Sequence, residues 1–479
     1  MLKRSFHIAL FALAICELKP LSSKAQVVLP NILGNGMVLQ RNRPVPIWGT
    51  AAAGEKVTVK FGKQLKTTVA GADGNWKVLL SAMPASAKGE SLIITGTNKI
   101  TLTDVLVGEV WLCSGQSNMQ YEMRKNSKVA RPDTSTAASP IDELERAHNP
   151  AIRIFLVDRK RQVKPDSTHS GWSIAQDSAL RNFSAVGYFF AKKLQQELKV
   201  PVGVISSAVS GSRIEPWIDT TAYDKEPYFK TIKVPADHGK FYYSMIKTLA
   251  PYAIKGVLWY QGESNVGETT SYIYKMKALM ESWRKVFQNA AMPFYYVQLA
   301  PFLNSQDKKF TTETLPEFRE AQEQVLKIPN TGMIITTDLN DNVKNIHPPF
   351  KWEVGRRLAL VALGKTYASK AEYLGPVFSN MKVDRDQAIL SFTHLGGGLI
   401  SQDGKPLTHF TIAGADNKFV PANVMIKDNQ LLLSAPSVKK PVAVRFAWDE
   451  AAQPNFYNKA GLPAAPFRTD NPLNFNPNN

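Results

Sequence analysis

Cysteine is almost missing: the 479 residues hold only Cys16 and Cys113. One bridge at most is available, so a disulfide-stapled scaffold is excluded and stability must come from a buried core. Long apolar runs are missing too. The stretch Ile8 to Cys16 is too short to cross a bilayer, so no membrane insertion is expected. There is no P-loop, no G-x-G-x-x-G after a strand and no metal-ligand spacing; neither cofactor nor metal is expected. Acidic residues are scarce relative to basic ones, 40 against 58, for a formal charge of +18. Such an excess can serve a polyanionic partner. Here the Lys and Arg are scattered, with only short clusters such as Arg159-Lys160-Arg161. No nucleic-acid partner is expected; the charge reads as solvation with some attraction to acidic glycans. Nothing in the composition indicates an oligomeric state.

What is present has an order. Lys3 and Arg4 precede the short apolar run, and small residues lead up to Ala25. Positive, apolar, small is the pattern of a secretory signal peptide. Residues 1–25 are therefore read as a signal cleaved after Ala25, in preference to lipidation at Cys16, and the chain as periplasmic or secreted. Cys113 then stands alone, inside an apolar run, as a small buried residue. Residues 26–103 alternate in short runs broken by turn residues, "PVPIWG", "EKVTVKFG" and "SLIITGT" among them, which predicts a β-sandwich-like domain. From 104 to 372 the texture changes. Apolar strand candidates ("VLVGEVWL", "IRIFLV", "PVGVISS", "IKGVLWY", "PFYYVQLA", "TGMIITT") alternate with helical segments. One of these, 183–198, puts Phe183, Val186, Phe190, Leu194 and Leu198 on one stripe. That alternation predicts a parallel sheet covered on both faces. Residues 373–479 return to a β texture and read as a C-terminal β-rich module.

Ligands of an open parallel sheet bind at the carboxyl ends of its strands, so the loops there are the candidates. In "LVGEVWLCSGQSNM" a core strand ends on Ser117, flanked by the amides Gln116 and Asn118. A serine where a strand turns into a helix is either an N-cap or a hydroxyl exposed for attack beside free N–H groups. In the second loop, Ser206 to Trp217, Gly211 allows close backbone approach to a ligand, or merely makes a turn. In Trp259-Tyr260-Gln261-Gly262-Glu263-Ser264-Asn265, Gln261 is a suitable donor to developing negative charge. Glu263 is either a recognition group or a glycosidase carboxylate needing a partner such as Asp338. The fourth loop, Asp338 to Pro349, holds His347. Of seven histidines it alone follows a core strand and precedes a helix, here expected from about Pro348, and imidazole is the usual base for a hydrolytic serine.

In this order the four blocks "GQSNM", "SGSRIEPW", "WYQGESN" and "NIHPPFKWEVGRRLA" resemble the SGNH-type carbohydrate esterases, and most closely the sialate O-acetylesterase family. With the flanking β regions the likeness spans nearly all of the chain past residue 25. It implies a flavodoxin-like three-layer α/β/α domain and deacetylation through an acyl-enzyme. By position, Ser117 is the nucleophile and His347 the general base. The N–H groups of Ser117 and Gly211, with the Gln261 side chain, form the oxyanion hole. Asn118, Arg213 and Glu263 fall at the substrate, an O-acetylated sugar, with sialic acid the first choice and acetylated plant polysaccharide such as xylan the second. Arg213 meets a sialic acid carboxylate, or else pairs with Glu215. Two departures stand out. Ser210 replaces a frequent Gly, and Lys344 and Asn345 occupy the positions where an Asp before the histidine is common. The group orienting His347 is then Asp338, Asp341 or a backbone carbonyl. That gap keeps a glycan-binding protein with a decayed site as a further alternative.

Overall fold

The structure is a computed structural model, and it describes residues 26–126, 128–129, 139–157, 171–230 and 237–477. The segment read as a signal peptide, with Cys16, and the Arg159–Arg161 cluster lie outside the described residues. Six parallel strands form the centre: β1 (Lys99–Gly115), β2 (Ile152–Leu156), β3 (Val202–Ala208), β4 (Gly256–Tyr260), β5 (Phe294–Val297) and β6 (Thr331–Ile334), in the order β6-β5-β4-β1-β3-β2. The short strand Ser173–Ile174 closes the β2 edge in antiparallel sense. Runs of Val, Ile, Leu and aromatics suit strands buried on both faces, and the parts of β1 to β6 within this sheet are almost wholly buried.

Helices cover both faces. On one, α2 (Ala185–Leu198) and α5 (Lys351–Tyr367) pack so closely that a Cβ on Gly355 would lie 2.8 Å from Phe189 Cβ, Phe190 N and Val186 O. Phe190 of α2 meets Trp111 of β1 edge-on. Cys113 is on the same face, under Gly187, and burial pushes its thiol pKa upward. On the other face Trp283 of α3 (Thr270–Val286) meets Trp259 of β4, and α4 (Thr314–Gln324) follows alongside. The three-layer α/β/α arrangement expected from the alternation is the one observed. The helix expected from 183 begins at Ala185, because Ser184 caps it by accepting from Gly187 N at 3.1 Å. The helix expected from Pro348 begins at Lys351, since consecutive prolines disfavour helical geometry just before it.

Most N-terminal strands join this sheet, while Val45–Thr50 and Asn75–Leu80 pair as a separate two-stranded sheet. β1 is long: its first half pairs antiparallel with Ser86–Thr95 and its second half lies at the centre of the parallel sheet. It passes residues 103 and 104 without interruption, and one continuous apolar core serves both regions. Residues 377–468 carry further β-sheets around a core of their own, with Phe392, Phe410, Phe446, Phe456 and Phe467 in mutual ring contact. No described helix is long and apolar enough to cross a membrane.

Candidate active site

β1, β3 and β4 are neighbours, so their carboxyl ends bring three of the four loops together by register alone. Gly115 pairs with Ala208 on one side and Tyr260 on the other. The turn after β1 demands glycine there. Gly115 has φ +135°, and a Cβ would sit 2.1 Å from Tyr260 O. Gln116 N donates to Tyr260 O at 3.0 Å, and the short helix α1 (Ser117–Gln120) starts at the next residue. Ser117 is thus the first residue of a helix, half-buried, and it is not the N-cap, which is Gln116.

The fourth loop is brought in by a side chain. Asn118 Nδ2 donates to Ile346 O at 3.0 Å and to Glu263, while its Oδ1 accepts from Lys351 Nζ at 2.6 Å. The residue after Ser117 is therefore bonded to the residue before His347. Both Ser117 and His347 line one cleft of about 420 Å³, together with Gln120, Tyr121, Glu122, Lys125, Ser210 and Asn345. Asn345 Oδ1 accepts from His347 N at 3.0 Å, and Gln120 Oε1 accepts from Ser210 N at 2.9 Å, so both loop backbones at the cleft are held from within it. Burial, then the positive charges of Lys351 and Lys125, hold the His347 imidazole below its ordinary pKa. Among the described residues the backbone N–H groups of Ser117 and Gly211 have no acceptor.

Several expected contributors stand elsewhere. Gln261 is fully buried and its Nε2 is directed at Asn265 Oδ1 (2.7 Å), Gln116 Oε1 (3.2 Å) and Ser212 O (3.2 Å), with Tyr272 OH donating to its Oε1. An amide so engaged ties three loops together and is not a free donor toward the cleft, contrary to the oxyanion role expected for it. Arg213 does not line the cleft either. Its guanidinium bonds Glu215 at 3.1 Å, Glu268, and Ser264 O at 2.9 Å; of the two expectations for it, pairing with Glu215 is the one realised. Asp338 is held bidentate by Arg357 at 2.7 and 2.6 Å, and Tyr457 hydrogen-bonds it as well. Asp341 is exposed, and no described residue hydrogen-bonds a ring nitrogen of His347. Glu263 sits behind the cleft against Asn118; burial raises its pKa and its Oε2 has no hydrogen-bond partner among the described residues. Glu263 and Asp338 are held by separate partners, Asn118 and Arg357. No cluster among the described residues has the donors for a metal ion.

Sequence reasoning passed over Lys351. It is completely buried, yet lies between the rings of Tyr121 and Tyr260, with Nζ 5.0 Å from each centroid. A lysine four residues after the histidine, on a helix face that turns inward, was the available signal.

Comparison with known proteins decides the class. Residues 107–371 match the family described as carbohydrate esterase, sialic acid-specific acetylesterase. The chain belongs to this family. It is therefore a carbohydrate esterase of the O-acetyl class. It is 29% identical to the human sialate O-acetylesterase and 30% identical to that of Pongo abelii, with 91% of each chain covered. A carbohydrate acetylesterase from Xanthomonas citri, at 34% identity, superposes with a TM-score of 0.82 over 93% of this chain and 100% of its own. The expected family and three-layer fold are thereby borne out.

Proposed function

We propose that this carbohydrate esterase removes O-acetyl groups from sugars through an acetyl-enzyme on Ser117, with His347 as the base. The single observation that carries the reading is that Ser117 and His347 face one cleft across the Asn118–Ile346 hydrogen bond. His347, kept neutral by its surroundings, takes the Ser117 proton as Oγ attacks the acetyl carbon. The negative oxygen of the tetrahedral intermediate is received by the N–H groups of Ser117 and Gly211. The imidazolium returns its proton to the departing sugar oxygen. Water, deprotonated by the same imidazole, then attacks the acetyl carbon, and acetate leaves as Ser117 regains its proton. With Asp338 held by Arg357 and Asp341 exposed, the machinery is a Ser–His dyad and not a triad.

O-acetylated sialic acid is the proposed substrate. With Arg213 occupied by two carboxylates, the cation at the cleft wall is Lys125, which suits the sugar carboxylate as a point charge. The tie-up of Arg213 also favours a second reading, a neutral acetylated plant polysaccharide. The test is acetate release from O-acetylated sialic acid beside acetylated xylan, with wild type and Lys125→Met. Sialic acid as substrate predicts release from the first and a KM raised about tenfold by the substitution, the loss of one charge-assisted contact. Release from xylan alone, indifferent to Lys125, favours the second reading. The signal peptide and a periplasmic or secreted location belong to the same proposal, since such glycans lie outside the cell.

A further inference from the structure

Behind the cleft stand two opposite charges that the mechanism above does not use, Lys351 fully buried and Glu263 half-buried. Lys351 Nζ and the Glu263 carboxylate do not bond each other; Asn118 stands between them, accepting from Lys351 at 2.6 Å and donating to Glu263. The same amide nitrogen reaches Ile346 O at 3.0 Å. Asn118 is 1% exposed and Lys351 0%, and a charge buried as deeply as that of Lys351 is costly unless polar groups such as the Asn118 amide oxygen compensate it. Three chain segments therefore converge on one amide: the serine turn, the Glu263 loop and the histidine turn with its helix α5. We propose that Lys351 is a positioning residue: through Asn118 it locks the serine turn to the histidine turn, and its charge stands behind the imidazole of His347.

This rests on the Ser117–His347 reading and adds a consequence to it. The charged groups around the pair are few. Lys351 lies between the rings of Tyr121 and Tyr260 and feels the charges of Glu263 and Lys125; His347 feels those of Lys351 and Lys125, with Tyr121 and Glu122 on the same cleft wall and Asp341 within electrostatic reach of Tyr121. Burial, opposed by Glu263 and reinforced by Lys125, brings Lys351 down to about 7. Below neutrality it carries its charge and disfavours the imidazolium. The base form of His347 is then retained in acid, where an unassisted dyad loses it. Above neutrality Lys351 discharges, but His347 is already neutral there, so the coupling acts only where it is needed.

The test compares wild type with Lys351→Met and with the double variant Glu263→Gln/Lys351→Met, which leaves no unpaired buried charge and so guards against misfolding. Two readouts are taken: the pH profile of kcat/KM, and the titration of the His347 ring by NMR of 13C-labelled histidine. The proposal predicts that both variants titrate His347 at higher pH than wild type. Their kcat/KM at the acid end falls a further three- to tenfold, roughly, below their own neutral plateau, and kcat drops while KM holds. An unmoved ring titration with an unmoved acid limb in both variants overturns it. A wild-type rate in His347→Ala would instead sink the dyad, leaving the ring titration of the Lys351 variants to judge the electrostatic half on its own.

Discussion

In the proposed mechanism Ser117 and His347 carry unequal loads. Without the hydroxyl there is no acyl-enzyme, whereas the cleft around it stays intact. Ser117→Ala should lower kcat for deacetylation by about four to six orders of magnitude while calorimetry finds the sugar still bound; an activity within tenfold of wild type contradicts the assignment. The lowered pKa of His347 has a definite sign. A base must be neutral to act, so a depressed pKa moves the acid limb of kcat/KM to lower pH than an ordinary imidazole near 6.5 would give. A limb at or above that value would mean that another group titrates. Ser117 stood out in the sequence because it directly follows a core strand; His347, well past the end of β6, stood out because it comes shortly before the block that forms α5. The orientation of Gln261 and Arg213 was not. A polar side chain's partners come from loops distant in sequence, and Asn265, Ser212, Glu215 and Glu268 outcompete the cleft for them.

The loops are placed by the elements that end in them. Gly115 lets β1 turn beside Tyr260 and so presents Ser117. Gly115→Ala should cost about 3 kcal/mol or more, seen as a lower urea midpoint, because a Cβ meets backbone and φ is unfavourable. Gly355 plays the matching part for the histidine block. It allows α5 to lie against α2, and Gly355→Ala should cost about 1 to 3 kcal/mol by overpacking. Wild-type midpoints in both variants would show that the close approaches are not needed. Alternation of apolar runs with amphipathic segments was enough to predict the covered parallel sheet. It could not show that β1 continues the N-terminal sheet, since strand length within an unbroken apolar and alternating run leaves no mark where pairing partners change.

The C-terminal β module has a structural part in the site. Gln453 Nε2 donates to Asn340 O, Tyr457 hydrogen-bonds Asp338 beside Arg357, and Glu450 N bonds Thr312 O. The loop running from Asp338 to His347 is therefore braced from outside the α/β layers. Loosening that brace with Gln453→Ala/Tyr457→Phe should lower kcat about tenfold, because small misplacements of a base are costly, with far-UV circular dichroism unchanged. Undiminished kcat would mean the module is mechanically uncoupled from His347. No composition or periodicity announces such bracing; it depends on how two cores dock.

All of this converges on one covalent event. Protein quenched in acid during turnover of an O-acetylated sugar, digested and sequenced by tandem mass spectrometry, should carry acetyl on Ser117. The label should be lost in Ser117→Ala and in His347→Ala. Steady acetate release with Ser117 never acetylated, or with the acetyl group on a different side chain, would contradict the account.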